Sequence, residues 1–499
     1  MHLVRMTQHA LDDLNEFSAH HLRLRLAKSS SIVSQENASI PEYRKITENE
    51  TIKLHAQVDG KDEPALTVRL QAQTGALPAR AELQSHSTVF DVFYAPGQVP
   101  SISSSSSTLA TFIATKLQDL FAEEQAVIAY ILSQSSTNTH QSMGQSSQAS
   151  QSTLSASREL KSRGNRPIKP ELATRLASRM TRSLKYAPTY HITISLFTPS
   201  TSPSSWEIEL AIAKYLKPLL DSISVISNFT VDTQVQLFAT LSPSVHSPQH
   251  DSENGVWTIR EEDLSGFINA AEWPLSPSIG AGPTLNFVLY VPDQATTPLV
   301  VKGSQASSWL IPQWGGVVVL NLPDVNTTAG VSTLSKEAIR PALLTFSHQL
   351  LSFMGAPQTP PSLPLQLQTL VRIRAASLLL SASSTMGSLA QLTVALPSIA
   401  IPGTVSSAVD TTLSHLRCTC TALKEGKFKE ALENARIAEA EAERGFFEKS
   451  MVGQVYFPDE HKVAVYLPLL GPVGVPLVMS ALKELRRLWN SRKAKGPIS

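Results

Sequence analysis

One run of residues constrains this chain more than any other. VAVYLPLLGPVGVPLVMSAL, Val463 to Leu482, carries no charged residue over 20 positions. As a helix it is about 30 Å long, the thickness of a bilayer's hydrocarbon. It is followed at once by Lys483, Arg486, Arg487, Arg492, Lys493 and Lys495 against Glu484 alone, with Trp489 at interface distance. A soluble core segment is rarely this long, this apolar and this sharply flanked by bases, so the run predicts a transmembrane helix over 463–482 and a basic cytoplasmic tail over 483–499. The competing reading makes it a buried segment of a soluble or peripheral adaptor.

The run has an unusual interior. Pro468, Pro472 and Pro476 are four apart, so a helix stacks them on one face. Each lacks an N–H and frees the carbonyl four residues earlier, at Ala464, Pro468 and Pro472. A freed carbonyl in lipid costs several kcal/mol unless protein satisfies it. Gly471 and Gly474 allow close backbone approach. These five residues predict a helix that docks against other membrane helices. No second strong span is evident, so the expected docking partners are other polypeptides.

Charge sets the remaining bounds. The whole chain of 499 residues has 42 bases, 41 acids and a net charge of +1, with no basic footprint for nucleic acid. Without the tail the body has 36 bases against 40 acids. The basic tail places the C-terminus in the cytoplasm and the body in the lumen. Four N-glycosylation sequons suit that compartment: Asn37, Asn49, Asn228 and Asn326. Asn326 and Asn228 are the best placed, beside expected strands. A luminal body needs a leader, yet the first 30 residues hold no apolar core of a signal sequence. Either the start lies upstream of Met1 or the topology reading is wrong.

Periodicity divides the body. Residues 1–132 read as α/β: Ala65–Gln73 and Ser87–Ala95 alternate like strands, and Thr108–Leu132 has an apolar helical stripe. Residues 133–165, rich in Ser, Gln and Thr, read as a disordered insertion. Residues 166–330 read as a second α/β part. His191–Phe197 and Val231–Leu241 are strands there. Thr284–Pro292 and Gly315–Pro323 are apolar runs of the kind covered on both faces. Ser204–Glu207 reads as a capping box opening a helix through Leu220. Residues 331–455 read as helical, with Ser332–Met354, a stretch from Pro361, and Val405–Arg444. The uncharged stretch Ala375–Val409 is crowded with Ser, Thr and Gln and reads as buried or amphipathic helix. The fold class is thus an α/β luminal body of mixed sheet covered by helices, then a helical segment, then the C-terminal transmembrane helix.

Chemistry is sparse. Cys418 and Cys420, with His415 nearby, are the one candidate nucleophile group, but positions two apart diverge on a helix. His246, His250 and Asp251 lie in a Ser/Pro loop with no fourth metal ligand. Glu261–Glu262 reads as a solvated turn. Gly315–Gly316 lacks the Lys-Ser/Thr of a phosphate loop. No catalytic, metal or cofactor site is expected.

Several long strings carry a resemblance. Tyr456–Leu477, YFPDEHKVAVYLPLLGPVGVPL, is similar to the C-terminal signature of the PIG-S family. Gly282–Pro292, Trp309–Asn321, Tyr186–Phe197, Phe267–Ser276 and Gly445–Gln454 also resemble that family's strings, while Val58–Leu132 fits only in outline. The resemblance implies a non-catalytic subunit of the GPI transamidase of the endoplasmic reticulum membrane, which joins GPI anchors to proprotein C-termini. It implies chemistry on a different subunit, a large luminal domain between two spans, and the other transamidase subunits and the bilayer as partners. Indirect contact with proprotein or GPI lipid is left open. This sequence lacks the first span.

Overall fold

The computed structural model describes residues 1–15, 17–26, 51–54, 65–75, 77–141, 170–267, 282–322, 333–397, 399–451 and 459–494. The chain forms two compact units: Met1–Ser377 with Thr419–Glu433, and Leu378–Cys418 with Asn434–Ser499.

The first unit holds two five-stranded sheets. The N-terminal sheet has β1 (Leu24–Leu26), β2 (Thr51–Leu54), β3 (Leu66–Ala72), β4 (Arg80–Leu83) and β5 (Val89–Tyr94) in the order β1-β2-β3-β5-β4. β3 and β5 run parallel and the other pairs antiparallel. Alternation in β3 turns Leu66, Val68 and Leu70 into one core. There they meet Leu3 and Leu11 of α1 (His2–Leu14) and Leu109, Ile113, Leu117 and Phe121 of α2 (Thr108–Gln141).

The second sheet contains β6 (Thr189–Phe197), β8 (Asn228–Gln236), β11 (Thr284–Tyr290), β13 (Ser308–Ile311) and β14 (Gly315–Val319), in the order β13-β14-β11-β6-β8. The four strands β14, β11, β6 and β8 are parallel, and β13 closes one edge antiparallel. Its central strands are buried on both faces, as their unbroken apolar runs predict. One face packs Phe287 on Phe346 and Phe353 of α6 (Lys336–Phe353), at ring distances of 5.0 and 6.5 Å. The other packs Val288, Tyr290, Val317 and Val319 against Ile259, Phe267 and Leu299. Ile259 and Leu299 come from a small sheet of β9 (Gln249–Asp251), β10 (Val256–Ile259) and β12 (Leu299–Val301).

Gly315 and Gly316 are packing glycines. A Cβ on Gly315 would stand 1.8 Å from the Asn286 carbonyl oxygen, and one on Gly316 2.1 Å from Gln349 Oε1.

The second unit is helical. It takes the later half of α7 (Leu363–Ala395), most of α8 (Gly403–Glu425), most of α9 (Phe428–Phe446), and α10 (Asp459–Ala494). Small side chains let the helices approach: Ala382, Ala438 and Ala442 are fully buried together, beside Met386 and Leu416. A second cluster, Leu389, Val405 and Met451, also receives Leu392, Ile399 and Phe446.

Several expectations need correction. No capping box forms at Ser204. Ser205–Trp206 (β7) pairs instead with Thr333–Leu334 (β15), and Glu207 Oε2 accepts from the Lys336 amide at 3.0 Å, at the start of α6. The helix opens at Ile208, continues through a π turn at Ile212–Leu216, and ends at Ile223. The strand expected over Val231–Leu241 is β8, shifted toward the N-terminus because it pairs with β6 from Thr189 onward. α2 runs nine residues past Leu132, since its Ser/Gln/Thr end contains no Gly or Pro to stop it. The rest of the 133–165 insertion lies outside the described residues. The helix expected over Val405–Arg444 is two helices. Gly426 has φ 76°, and the Lys427 amide donates back to the Ala422 carbonyl at 2.9 Å, a glycine C-cap. α1 was not foreseen.

The unit's helices are tied by two adjacent carboxylates on α2. Glu124, buried, accepts from Arg372 Nε and Nη2 at 2.7 Å each and from Thr369 Oγ1 at 3.1 Å, both on α7. Glu123 accepts from Arg179 of α3 (Pro170–Arg182) and from the amides of Gln358 and Thr359. Burial alone would raise the Glu124 carboxyl, but the Arg372 charge and hydrogen bonds, with His20, outweigh it and hold the group at about 2, down from 4.5. Its ionised form therefore stabilises the fold fully above pH 4.5, and this contribution is lost as pH falls toward 2. Arg372→Ala should destabilise by about 3–5 kcal/mol in denaturant titration, because it strands a buried charge. Glu124→Leu with Arg372→Met should recover to within about 2 kcal/mol of wild type and lose Glu124's share of the acid sensitivity between pH 4.5 and 2.

Candidate functional site

The residues expected to dock in a membrane lie together on α10. The segment is one helix, Asp459–Ala494, with all three prolines inside it. At about 100° per residue, Pro468, Pro472 and Pro476 fall within an arc of about 80°, and Gly471 is about 60° from Pro468. Gly474 lies further round, about 120° from Pro468. A Cβ built on either glycine meets nothing within 4 Å among the described residues. Among its described side chains, Leu467, Leu470, Val473, Val475, Leu477 and Met479 are each more than half exposed.

Among the described residues, the helix long and apolar enough to cross a membrane by length and mean hydropathy is α7, which is not C-terminal. Its first half cannot serve as a span in this fold. It carries Arg372 and Arg374, both buried, and Leu365 joins the core of the N-terminal sheet.

Of the four sequons, Asn228 is described. It is exposed at the first position of β8, an edge strand, opposite Thr189, and its amide donates to the Pro188 carbonyl at 2.9 Å. The Thr230 hydroxyl of that sequon meets His191 Nδ1. Asn37, Asn49 and Asn326 lie outside the described residues.

The nucleophile candidates do not assemble. Cys418 and Cys420 are free and exposed on α8. His415 Nδ1 is bonded to Asn434 Oδ1 at 2.8 Å rather than to either thiol. His246 pairs with Asp263 at 3.1 Å, while His250 sits edge-on to Trp257 with ring centres 5.2 Å apart. Asp251 is occupied by Asn254 Nδ2 and the Glu253 amide, which lower its pKa. Glu261 and Glu262 sit in a single 3-10 turn. Among the described residues no group of three or more His, Cys, Asp or Glu is arranged to hold a metal ion.

A cavity of about 740 Å³ lies in the first unit, bordered by the Glu124–Arg372 pair, His20, Phe121, Leu423 and Phe428. Arg372 is sandwiched between Phe121 and Phe428, 5.6 and 5.2 Å from their ring centres. His20 Nε2 is 3.6 Å from Glu124 Oε1. A carboxyl held near 2 stays ionised at neutral pH, so it cannot act there as a general acid and is a poor base. Sequence reasoning missed this network. Its signal was present: Glu124 lies on the same stripe as Leu117, Phe121 and Val127, where an acid must find a buried partner.

Comparison with known proteins agrees with the strings. The family model for PIG-S, "Phosphatidylinositol-glycan biosynthesis class S protein", matches residues 1–491. The chain belongs to the PIG-S family. It is 31% identical over 333 residues to the human protein named GPI-anchor transamidase component PIGS, covering 62% of this chain and 60% of that one. It is 31% identical over 323 residues to the Schizosaccharomyces pombe GPI transamidase component PIG-S homolog, covering 62% and 56%. The Saccharomyces cerevisiae GPI transamidase component GPI17 is 25% identical over 335 residues, covering 63% and 61%. The chain spans about 60% of the length of the relatives it matches.

The exposed position of both thiols has a direct consequence. Maleimide should label Cys418 and Cys420 in the folded protein. Replacing both by Ser should shift stability by less than about 0.5 kcal/mol, as for surface sites without partners. Protection of either thiol until unfolding would contradict this placement.

Proposed function

We propose that this chain is a non-catalytic subunit of the GPI transamidase of the endoplasmic reticulum membrane, supporting attachment of GPI anchors to proprotein C-termini. The observation that carries the reading is the family match over residues 1–491, with relatives in animals and yeasts named as transamidase components. The non-catalytic part is supported by the cysteines, which are exposed and unengaged with His415. In cells depleted of the native protein, the variant with both cysteines replaced by Ser should restore GPI attachment as well as wild type. Normal assembly with abolished attachment would overturn this in favour of a thiol enzyme.

The same reading makes Val463–Leu482 the membrane helix, 483–499 a cytoplasmic tail, and the bulk of the chain luminal. The runner-up, an adaptor that buries this segment, is disfavoured by the exposed apolar side chains around α10. The partners are the bilayer and the other transamidase subunits, the latter met through the surface of α10 centred on Pro468, Pro472, Pro476 and Gly471, with Gly474 at its margin. Replacing the three prolines by Leu restores three N–H groups and should preserve insertion. It should remove acceptors worth on the order of 0.6–2 kcal/mol each and lower co-purification of the other subunits in mild detergent several-fold. Undiminished recovery would mean that the prolines only shape a bend.

A luminal body also exposes the sequons to glycosylation. Glycosidase treatment should increase the full chain's gel mobility, and Asn228→Gln should reduce that shift. A mobility that glycosidase leaves unchanged would count against the luminal placement.

A further inference from the structure

We propose that the turn between α7 and α8 rests in the lipid interface beside the C-terminal span, with Val394, Ile401 and Phe447 as its membrane-facing side chains. The proposal rests on the reading of Val463–Leu482 as a membrane helix and adds a second point of contact between the second unit and the bilayer.

Three observations converge on the turn. The first is the lack of charge. From Ala375 to Val409 no residue is ionisable, which covers the later half of α7, the turn and the start of α8. α7 has the hydropathy of a membrane segment, yet most of its apolar window is not buried by the protein. A soluble helix of that composition would normally hide it.

The second is the exposure of large apolar groups at the tip. Val394 is 82% exposed and Ile401 51%, on either side of the turn. Phe447 is 64% exposed and packs edge-on to Phe446, ring centres 5.0 Å apart. Phe446 in turn joins the cluster of Leu389, Val405 and Ile399 beneath the turn. Single exposed apolar residues need no explanation. Val394 and Ile401 flank the uncharged turn, Phe447 follows Phe446 of the cluster beneath it, and an apolar patch made of the three calls for a partner. Glu448 and Lys449 follow Phe447, giving the patch a charged border suited to the headgroup level.

The third observation selects the partner. Met451 is buried in the same cluster as Leu389 and Val405. Asp459 opens α10, and the uncharged run starts at Val463. Even if residues 452–458 were fully extended, the path from Met451 to Val463 is at most roughly 35 Å. Chain connectivity therefore ties the apolar turn to the membrane entry point. A bilayer takes up uncharged side chains such as Val, Ile and Phe without the shape complementarity that a protein partner would demand.

The test uses the full chain in proteoliposomes. Single cysteines at Val394→Cys, Ile401→Cys and Met479→Cys are made with Cys418 and Cys420 replaced by Ser. A variant keeping only Cys418 reports exposed α8 about 20 Å further along the helix. Each carries an environment-sensitive fluorophore, and phosphatidylcholine with a doxyl quencher at a shallow or deep acyl position is included. Val394 and Ile401 are exposed, so these changes leave the packing of Leu389, Val405 and Met451 in place. The expected result is strong shallow quenching at positions 394 and 401, at least twofold above Cys418, and deep quenching at 479. Quenching at 479 with none above the Cys418 level at 394 and 401 would overturn the proposal and leave the span intact. Absence of quenching at 479 would remove the span and the proposal with it. Blue-shifted emission at 394 and 401 without lipid quenching would assign the turn to a protein contact, and also overturn it.

Discussion

The ion pair between Glu124 and Arg372 governs the first unit. It joins the middle of α2 to the first half of α7, and Thr369 and His20 complete its surroundings. Its neighbour Glu123 binds Arg179 and the chain at Gln358–Thr359. Two adjacent acids on one helix thereby fix three other segments. A buried pair of this sort adds little net stability over an apolar replacement, but either half alone is costly. The pair specifies which helices meet. It also holds the first half of α7 in the core of the first unit, although the helix as a whole has a composition that would suit a membrane.

That constraint clarifies the division of labour along the chain. The central strands of the second sheet are packed on both faces and filled with Val, Leu and Phe. Three acids of the first unit, Asp91, Glu123 and Glu124, are each paired with an arginine. The apolar surface that the first unit buries reappears uncovered in the second, at the turn after α7 and along α10.

Much of the fold was legible in the sequence. Strands β3, β5, β6, β11 and β14 and helices α2 and α6 lie where alternation and apolar runs put them, because local pattern and burial agree there. Misses arose where distant partners decide. Ser204–Glu207 has the letters of a capping box, yet Glu207 reaches Lys336, which is 129 positions away. β8 is an edge strand whose register follows β6 more than its own pattern. Gly426 alone breaks a long charged helical stretch, a stop signal that composition obscures. Of the candidate site, the stacking of Pro468, Pro472 and Pro476 is legible because it depends on spacing within one helix, which forms over Asp459–Ala494. The Glu124 network is not, since Arg372 lies 248 positions from it.

The account turns on whether Val463–Leu482 lies in lipid, and alkaline carbonate extraction of membranes tests this most directly. The full chain and a version ending before Val463 would be compared by immunoblot of pellet and supernatant. The account predicts that the full chain stays in the pellet at high pH, and that the shortened chain, deprived of its span, is released unless an independent anchor precedes it. Release of the full chain into the supernatant would contradict the account, and would leave α10 as a helix whose apolar surface is covered by protein.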